Sequence, residues 1–189
     1  MQPKQIIIDG QFLTYYSNSN FDISHTTIIF LHGWRSESKV WFPIIEGLQK
    51  KLTDYNYLAI DLPGFGSSPT PESAWKMIDY AQLVNELIPK LNLQKVILVG
   101  HSFGGRTSIK LVGEVYDGKK YEIDKLILTG SAGFVDESNS TSFKQKAAKI
   151  MKPIFNLPVI SKLKPMIYNV IGAEDYNARK DLIFKSYEH

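Results

Sequence analysis

Two rhythms of apolar and polar residues alternate along the chain, and the switches between them lay out the elements. Ile6-Ile7-Ile8, the pair Asp9-Gly10 and Phe12-Leu13-Thr14-Tyr15-Tyr16 read as a β-hairpin, with Asp-Gly as the turn signal. Residues 17–25, rich in Ser and Asn, read as a loop. Thr27-Ile28-Ile29-Phe30-Leu31 is a continuous apolar run, as a strand buried on both faces requires, and it leads straight into His32-Gly33-Trp34. Apolar residues at 41, 44, 45, 48 and 52 follow helical spacing and predict a helix over 40–52, with Pro43 tolerable in its first turn. Tyr57-Leu58-Ala59-Ile60 is the next buried strand, closed by the turn chemistry of Asp61-Leu62-Pro63-Gly64-Phe65-Gly66-Ser67-Ser68. An amphipathic helix follows over 74–91, with Met77, Ile78, Ala81, Val84 and Ile88 along one face. Val96-Ile97-Leu98-Val99 is a further buried strand, running through Gly100-His101-Ser102-Phe103-Gly104-Gly105 into a helix that reaches about Tyr116. Leu126-Ile127-Leu128-Thr129 is the last strand, and it ends at Gly130-Ser131-Ala132-Gly133.

Buried strands alternating with helices define an α/β fold, a mostly parallel sheet begun by an antiparallel hairpin and covered by helices on both faces. In such sheets the chemistry collects beyond the C-terminal ends of the strands. Those ends carry His32-Gly33-Trp34, Asp61, Ser102 and Gly130-Ser131, so the fold is expected to bring these separated stretches together. Beyond them the pattern changes. From Ser138 to Ala173 there is no acidic residue, while Lys144, Lys146, Lys149, Lys152, Lys162 and Lys164 stand beside Phe143, Ile150, Met151, Ile154, Phe155 and Leu157. Short helices broken at Pro153, Pro158 and Pro165, then one over about 176–187, are expected here, which divides the chain into a core of 1–133 and a helical segment of 134–189.

Composition narrows the classes. A chain of 189 residues, 43% hydrophobic and 22% charged, can bury a sizeable core and is not disordered. No apolar run reaches the roughly 18 to 20 residues that span a bilayer, and the first residues lack the apolar stretch of a secretory signal, so a cytoplasmic location is the expectation. A net charge of +3 is too small to imply a nucleic-acid partner. There is no cysteine, and the histidines at 25, 32, 101 and 189 show no i, i+4 pairing, so neither a metal nor another cofactor is expected.

The candidate chemistry lies at Gly100-His101-Ser102-Phe103-Gly104, a G-x-S-x-G pattern between a strand and a helix. Such a sharp turn exposes the serine hydroxyl above the sheet, and the helix directs its free N–H groups at the same spot. His101 adjoins Ser102, but neighbours at a tight elbow point apart, so it is expected to shape the site rather than act as base. His32 is expected to brace its loop, and Asp61 to cap backbone N–H groups. A remote alternative is nucleotide binding. Gly100 to Thr107 reads G-x-x-x-x-G-R-T, one residue from a P-loop, although the planar fork of Arg106 is a poor substitute for the point charge of lysine.

With His32-Gly33-Trp34, Asp61-Leu62-Pro63-Gly64-Phe65-Gly66-Ser67 and Gly100-His101-Ser102-Phe103-Gly104-Gly105 at strand ends in this order, the chain resembles the α/β-hydrolase superfamily over about residues 5–134. The segment 134–189 resembles the helical cap that members carry after their sixth strand. The resemblance implies a serine hydrolase in which Ser102 attacks an acyl carbonyl. The backbone N–H groups of Phe103 and Trp34 would hold the oxyanion, and Gly33 and His101 would contact a small acyl substrate. Serine at 102 points to ester, thioester, lactone or related acyl hydrolysis, and away from the branches whose nucleophile is a carboxylate. In the family the triad acid follows the seventh strand and the histidine the eighth. Here the only histidine after Ser102 is His189, and Asp136 is the candidate acid, so a chain truncated before those strands, and inactive alone, is expected. The competing expectation is a non-catalytic fragment or binding module. Two surface expectations follow: the strand at 126–129 forms an exposed edge open to self-association, and the basic segment is a lid with solvated lysines rather than a membrane contact.

Overall fold

The structure, a computed structural model, describes residues 1–131, so the segment 134–189 expected to be helical, with Asp136 and His189, lies outside the described residues. The hairpin pairs β1 (Gln2–Ile8) antiparallel with β2 (Gln11–Ser17). Asp9 and Gly10 turn between them at φ 46° and 82°, the doubly left-handed geometry that Asp-Gly accommodates. The strands β3 (Thr26–Leu31), β4 (Tyr55–Asp61), β5 (Lys95–His101) and β6 (Glu122–Thr129) follow. All six form one sheet in the order β1-β2-β4-β3-β5-β6. β2 meets β4 antiparallel, whereas β4, β3, β5 and β6 run parallel to one another.

The apolar runs are continuous because both faces of the central strands are covered, and their side chains alternate between two cores. Ile29 and Leu31, Leu58 and Ile60, and Val96 and Leu98 pack against α2 (Met77–Lys90) through Ala81, Val84, Leu87 and Ile88. Ile28 and Phe30, Tyr57 and Ala59, and Ile97 and Val99 meet Trp41 and Ile45 on the other face. Those two residues come from a 3₁₀ turn, Ser38–Trp41, and from α1 (Phe42–Gln49), which holds Pro43 in its first turn. Helical spacing alone also turned Ile44 inward, but it is half exposed, since Trp41 and Ile45 already fill the contact with the sheet.

α2 begins later than the expected residue 74. The Lys76 backbone is extended and its N–H donates to the Asp79 carboxylate at 2.6 Å, a cap that starts the helix at Met77. α3 (Phe103–Lys110) passes into a wider π turn, Leu111–Val115, closed by the Tyr116 N–H on the Leu111 carbonyl. The last strand is longer than the run 126–129. Its charged first half, from Glu122, pairs with β5 across a register shift at Val96/Ile97. Among the described residues β6 pairs with β5 alone, and Ile127 and Leu128 are 47% and 44% exposed. No described helix is long and apolar enough to cross a membrane, and no described group of His, Asp and Glu is placed to hold a metal ion.

Candidate active site

The strand-to-helix turn after β5 centres on Ser102, whose φ of 49° and ψ of −108° lie in a region that L side chains rarely occupy. Hydrogen bonds on both sides impose that conformation. The Ser102 N–H donates to the Thr129 carbonyl of β6 at 3.1 Å, and the Ser102 carbonyl accepts the Arg106 N–H at 3.0 Å. The glycines make room for it. A Cβ on Gly100 would lie 2.5 Å from the Gly105 Cα and 2.7 Å from the Gly104 oxygen, and one on Gly104 would run into the backbone of Leu31 and His32. Helix α3 therefore starts in direct backbone contact with β3 and β5, and the Gly104 N–H donates to the His32 carbonyl at 3.0 Å.

Sheet register carries the next loop to the same place. Leu31 pairs with Gly100, so His32 and Gly33 continue beside His101 and Ser102. A Cβ on Gly33 would stand 2.8 Å from His101 Nδ1 and 3.5 Å from the Ser102 Cβ. The structure thus gathers Gly33, Trp34, His101, Ser102 and Phe103. Among the described residues no hydrogen-bond partner meets the Trp34 N–H, the Phe103 N–H or the Ser102 hydroxyl. The His101 ring fills the gap between two loops, with its Nε2 3.3 Å from where a Gly130 Cβ would be.

Two buried polar side chains hold these loops. His32, fully buried, accepts the Leu62 N–H on Nε2 at 3.0 Å and has Nδ1 2.7 Å from the Gly33 carbonyl. A backbone N–H can only donate and a carbonyl can only accept, so the ring is neutral with its proton on Nδ1. Burial holds its pKa below the ordinary imidazole value, against the opposing pull of the Gly33 carbonyl and of the Asp61 and Glu37 carboxylates. Asp61 is also fully buried. Its two carboxylate oxygens accept the Ser38 N–H at 2.7 Å and the Ser67 N–H at 2.8 Å, while its carbonyl accepts the Ser68 hydroxyl at 2.6 Å. Both expectations of a bracing role are met: His32 is no base, and Asp61 is a cap.

Sequence reasoning missed an aromatic cluster over the elbow. Trp34 lies edge-on to Phe65 and to Phe103, with ring centroids 4.9 and 5.0 Å apart, and Phe103 stands edge-on to Tyr80 at 5.0 Å. The buried Tyr80 hydroxyl, pushed up to about 12 chiefly by burial, faces the Pro63 carbonyl and stays neutral. Phe65 sits in the Pro-Gly-Phe-Gly turn, where the glycines read as turn signals and drew attention from the ring between them. The P-loop-like reading fails on geometry. The Gly104 N–H is already bonded to β3, and the spaces beside Gly100 and Gly104 are filled by backbone, so the loop offers no phosphate cradle.

Comparison with known proteins agrees with this geometry. Residues 26–155 match the family described as alpha/beta hydrolase fold. The chain is 36% identical over 115 residues to AB hydrolase superfamily protein YisY of Bacillus subtilis, covering 59% of this chain and 40% of that protein. It is 36% identical over 90 residues to 2-(acetamidomethylene)succinate hydrolase of Mesorhizobium japonicum, covering 48% of this chain and 31% of that one. Among solved structures, an esterase from Exiguobacterium antarcticum superimposes with a TM-score of 0.55 at 27% identity, over 67% of this chain and 44% of that one. The chain therefore spans less than half the length of these relatives. With the family match covering well over half of its residues, and the sheet order and serine turn in place, the chain belongs to the α/β-hydrolase fold family.

Proposed function

We propose that the protein is a serine hydrolase of small acyl compounds, an ester, thioester or lactone, with Ser102 as nucleophile. The observation that carries this reading is the Ser102 backbone, held at φ 49° beside two partnerless N–H groups. Attack by Ser102 Oγ on the acyl carbon places negative charge on the carbonyl oxygen. The N–H groups of Trp34 and Phe103 receive that charge, each contributing roughly 10²- to 10³-fold in rate. The N-terminus of α3 points its free N–H groups the same way and adds to the field. The half-exposed Trp34 ring, with Phe103 beside it, favours an apolar acyl group. Esterase and hydrolase relatives support the class of reaction, and we propose a cytoplasmic setting for it.

The base is the weak link of the constellation. His32 uses both nitrogens on backbone groups, and the His101 ring is lodged between Gly33 and Gly130. A serine without a base is a poor nucleophile, and among the described residues neither of these histidines is free to serve as one, so slow hydrolysis is the expectation. Incubation with a fluorophosphonate followed by peptide mass mapping is expected to find slow modification of Ser102, absent in Ser102→Ala. Turnover of p-nitrophenyl acetate is expected to stay far below that of a complete triad. Fast turnover that depends on Ser102 would overturn the missing base, and an unmodified Ser102 after prolonged exposure would leave the binding-module reading in its place.

A further inference from the structure

Apart from the serine elbow, a pocket of about 250 Å³ opens between the turn of the β1–β2 hairpin and the first turns of α2. Clefts that take drug-sized ligands run to roughly 300–1,000 Å³, so this one suits a smaller molecule. The chain itself fixes the walls. The Gln11 amide donates to the Pro69 carbonyl at 3.2 Å, the Thr14 N–H to the Ser68 hydroxyl at 2.8 Å, and the Thr14 hydroxyl to the Ser67 carbonyl at 3.0 Å. These bonds tie the loop after β4 to β2 and keep the cleft from collapsing.

Its lining combines apolar surface with charge of one sign. Ile8 and Leu83 are buried, and the half-buried Trp75 ring is braced edge-on by Tyr80 at 5.1 Å. The only charged residues of the lining are Asp9 and Asp79, and neither has an ion-pair partner among the described residues. Asp79 is held in place, because its Oδ2 accepts the Lys76 N–H at 2.6 Å, while its other oxygen has no described partner. The N-terminus of α2 opposes a cation with only about half a positive charge, so two carboxylates leave the site negative. A cation is also drawn to the face of an indole. A divalent metal ion would want six or more oxygen ligands, and no described group of His, Asp and Glu is placed to hold one. An alkyl chain carrying an ammonium head uses both kinds of lining.

We propose that this pocket binds small aliphatic ammonium ions, the head paired with Asp9 and Asp79 and the alkyl part packed on Trp75, Ile8 and Leu83. The site shares no residue with the elbow, so it stands whatever Ser102 does.

The probe is n-butylammonium, with n-butanol and butyrate as neutral and anionic guests of similar size. In nitrogen-15 spectra the three tryptophans, at 34, 41 and 75, each give an indole N–H signal. Titration with n-butylammonium chloride at constant ionic strength is expected to move the Trp75 signal to saturation with a Kd of about 1–10 mM, while those of Trp34 and Trp41 stay in place. Butanol is expected to bind about 10-fold more weakly, lacking both ion pairs, and butyrate to leave the spectrum unchanged. Asp9→Asn keeps a residue that accepts the φ of 46° in the hairpin turn, and Asp79→Asn keeps a carbonyl for the Lys76 N–H. Each should weaken binding about 2- to 5-fold, the worth of one exposed ion pair, whereas Glu46→Gln, an exposed acid on α1, should leave it unchanged. Equal affinity for butanol and butylammonium overturns the proposal, as does full affinity in both Asp variants. A guest that moves the Trp34 signal and leaves that of Trp75 lies at the elbow, and overturns it too.

Discussion

Replacing Ser102 by glycine should make the protein more stable, and more so than replacing it by alanine. The φ and ψ of Ser102, 49° and −108°, suit glycine and strain any residue with a Cβ, at a cost of about 1–3 kcal/mol. The conformation is imposed from outside by the bonds to Thr129 and Arg106 and by the Gly104 N–H on His32, none of which involves the side chain. Ser102→Ala removes a hydroxyl that has no described partner and leaves the strain in place, so its stability should stay within about 0.5 kcal/mol of wild type. Ser102→Gly relieves the strain but adds freedom to the unfolded chain, a penalty of roughly 0.5–1 kcal/mol. The difference leaves Ser102→Gly ahead by about 1 kcal/mol, or about 2–4 °C in Tm for a chain of this size. Urea unfolding of the three proteins, followed by fluorescence at matched m-values, measures it. A glycine variant less stable than the alanine one would show that the elbow stores no strain, and would remove the structural reason for regarding Ser102 as poised.

Gly100→Ala should lose about 1–3 kcal/mol, because its Cβ would stand within 3 Å of backbone in α3, whereas Gly47→Ala, in open space within α1, should gain about 0.5–1 kcal/mol; thermal melts of the pair test the packing directly. Asp61→Asn puts an amide NH2 against the N–H of Ser38 or Ser67 and should cost about 2–3 kcal/mol, read by denaturant titration; a neutral result would contradict the double cap. His32 binds its proton less readily folded than unfolded, so the unfolded state takes up more protons below about pH 6.5, and stability falls there with decreasing pH until the depressed folded pKa is passed. Asp61, Glu37 and the Phe65 ring face that imidazole, and wild type minus His32→Asn isolates its share; parallel curves for the two proteins would refute it. The edge of β6, unpaired among the described residues, is expected to drive concentration-dependent association in sedimentation runs, reduced by Ile127→Lys, and a monomer at all concentrations would refute it.

Much of the fold was legible because burial on both faces writes strands as continuous apolar runs. Thr27 to Leu31, Tyr57 to Ile60 and Val96 to Val99 each fall inside an observed strand, and Asp9-Gly10 marks the hairpin turn. The charged start of β6 was not legible, because an apolar run marks only buried side chains and Glu122, Asp124 and Lys125 are exposed. At the site, glycine spacing announced Ser102, since only close backbone packing demands it. The aromatic cluster and the two bonds of His32 were hidden for a different reason. They join Phe65 to Trp34 and Leu62 to His32 across a strand order that no local pattern encodes.

The strand order has a kinetic consequence. β3, which delivers Gly33 and Trp34, is flanked by β4 and β5, and β2 reaches the sheet only through β4. Neither neighbour of β3 exists in a nascent chain until Tyr55 has emerged, and the elbow cannot lean on β3 until residue 105 has followed. Pairings of such long sequence separation form slowly and together, because loop-closure entropy must be offset before they add stability. The serine and the amides that answer it therefore come into register in one late event. A half-made chain carries the residues of the site without their chemistry.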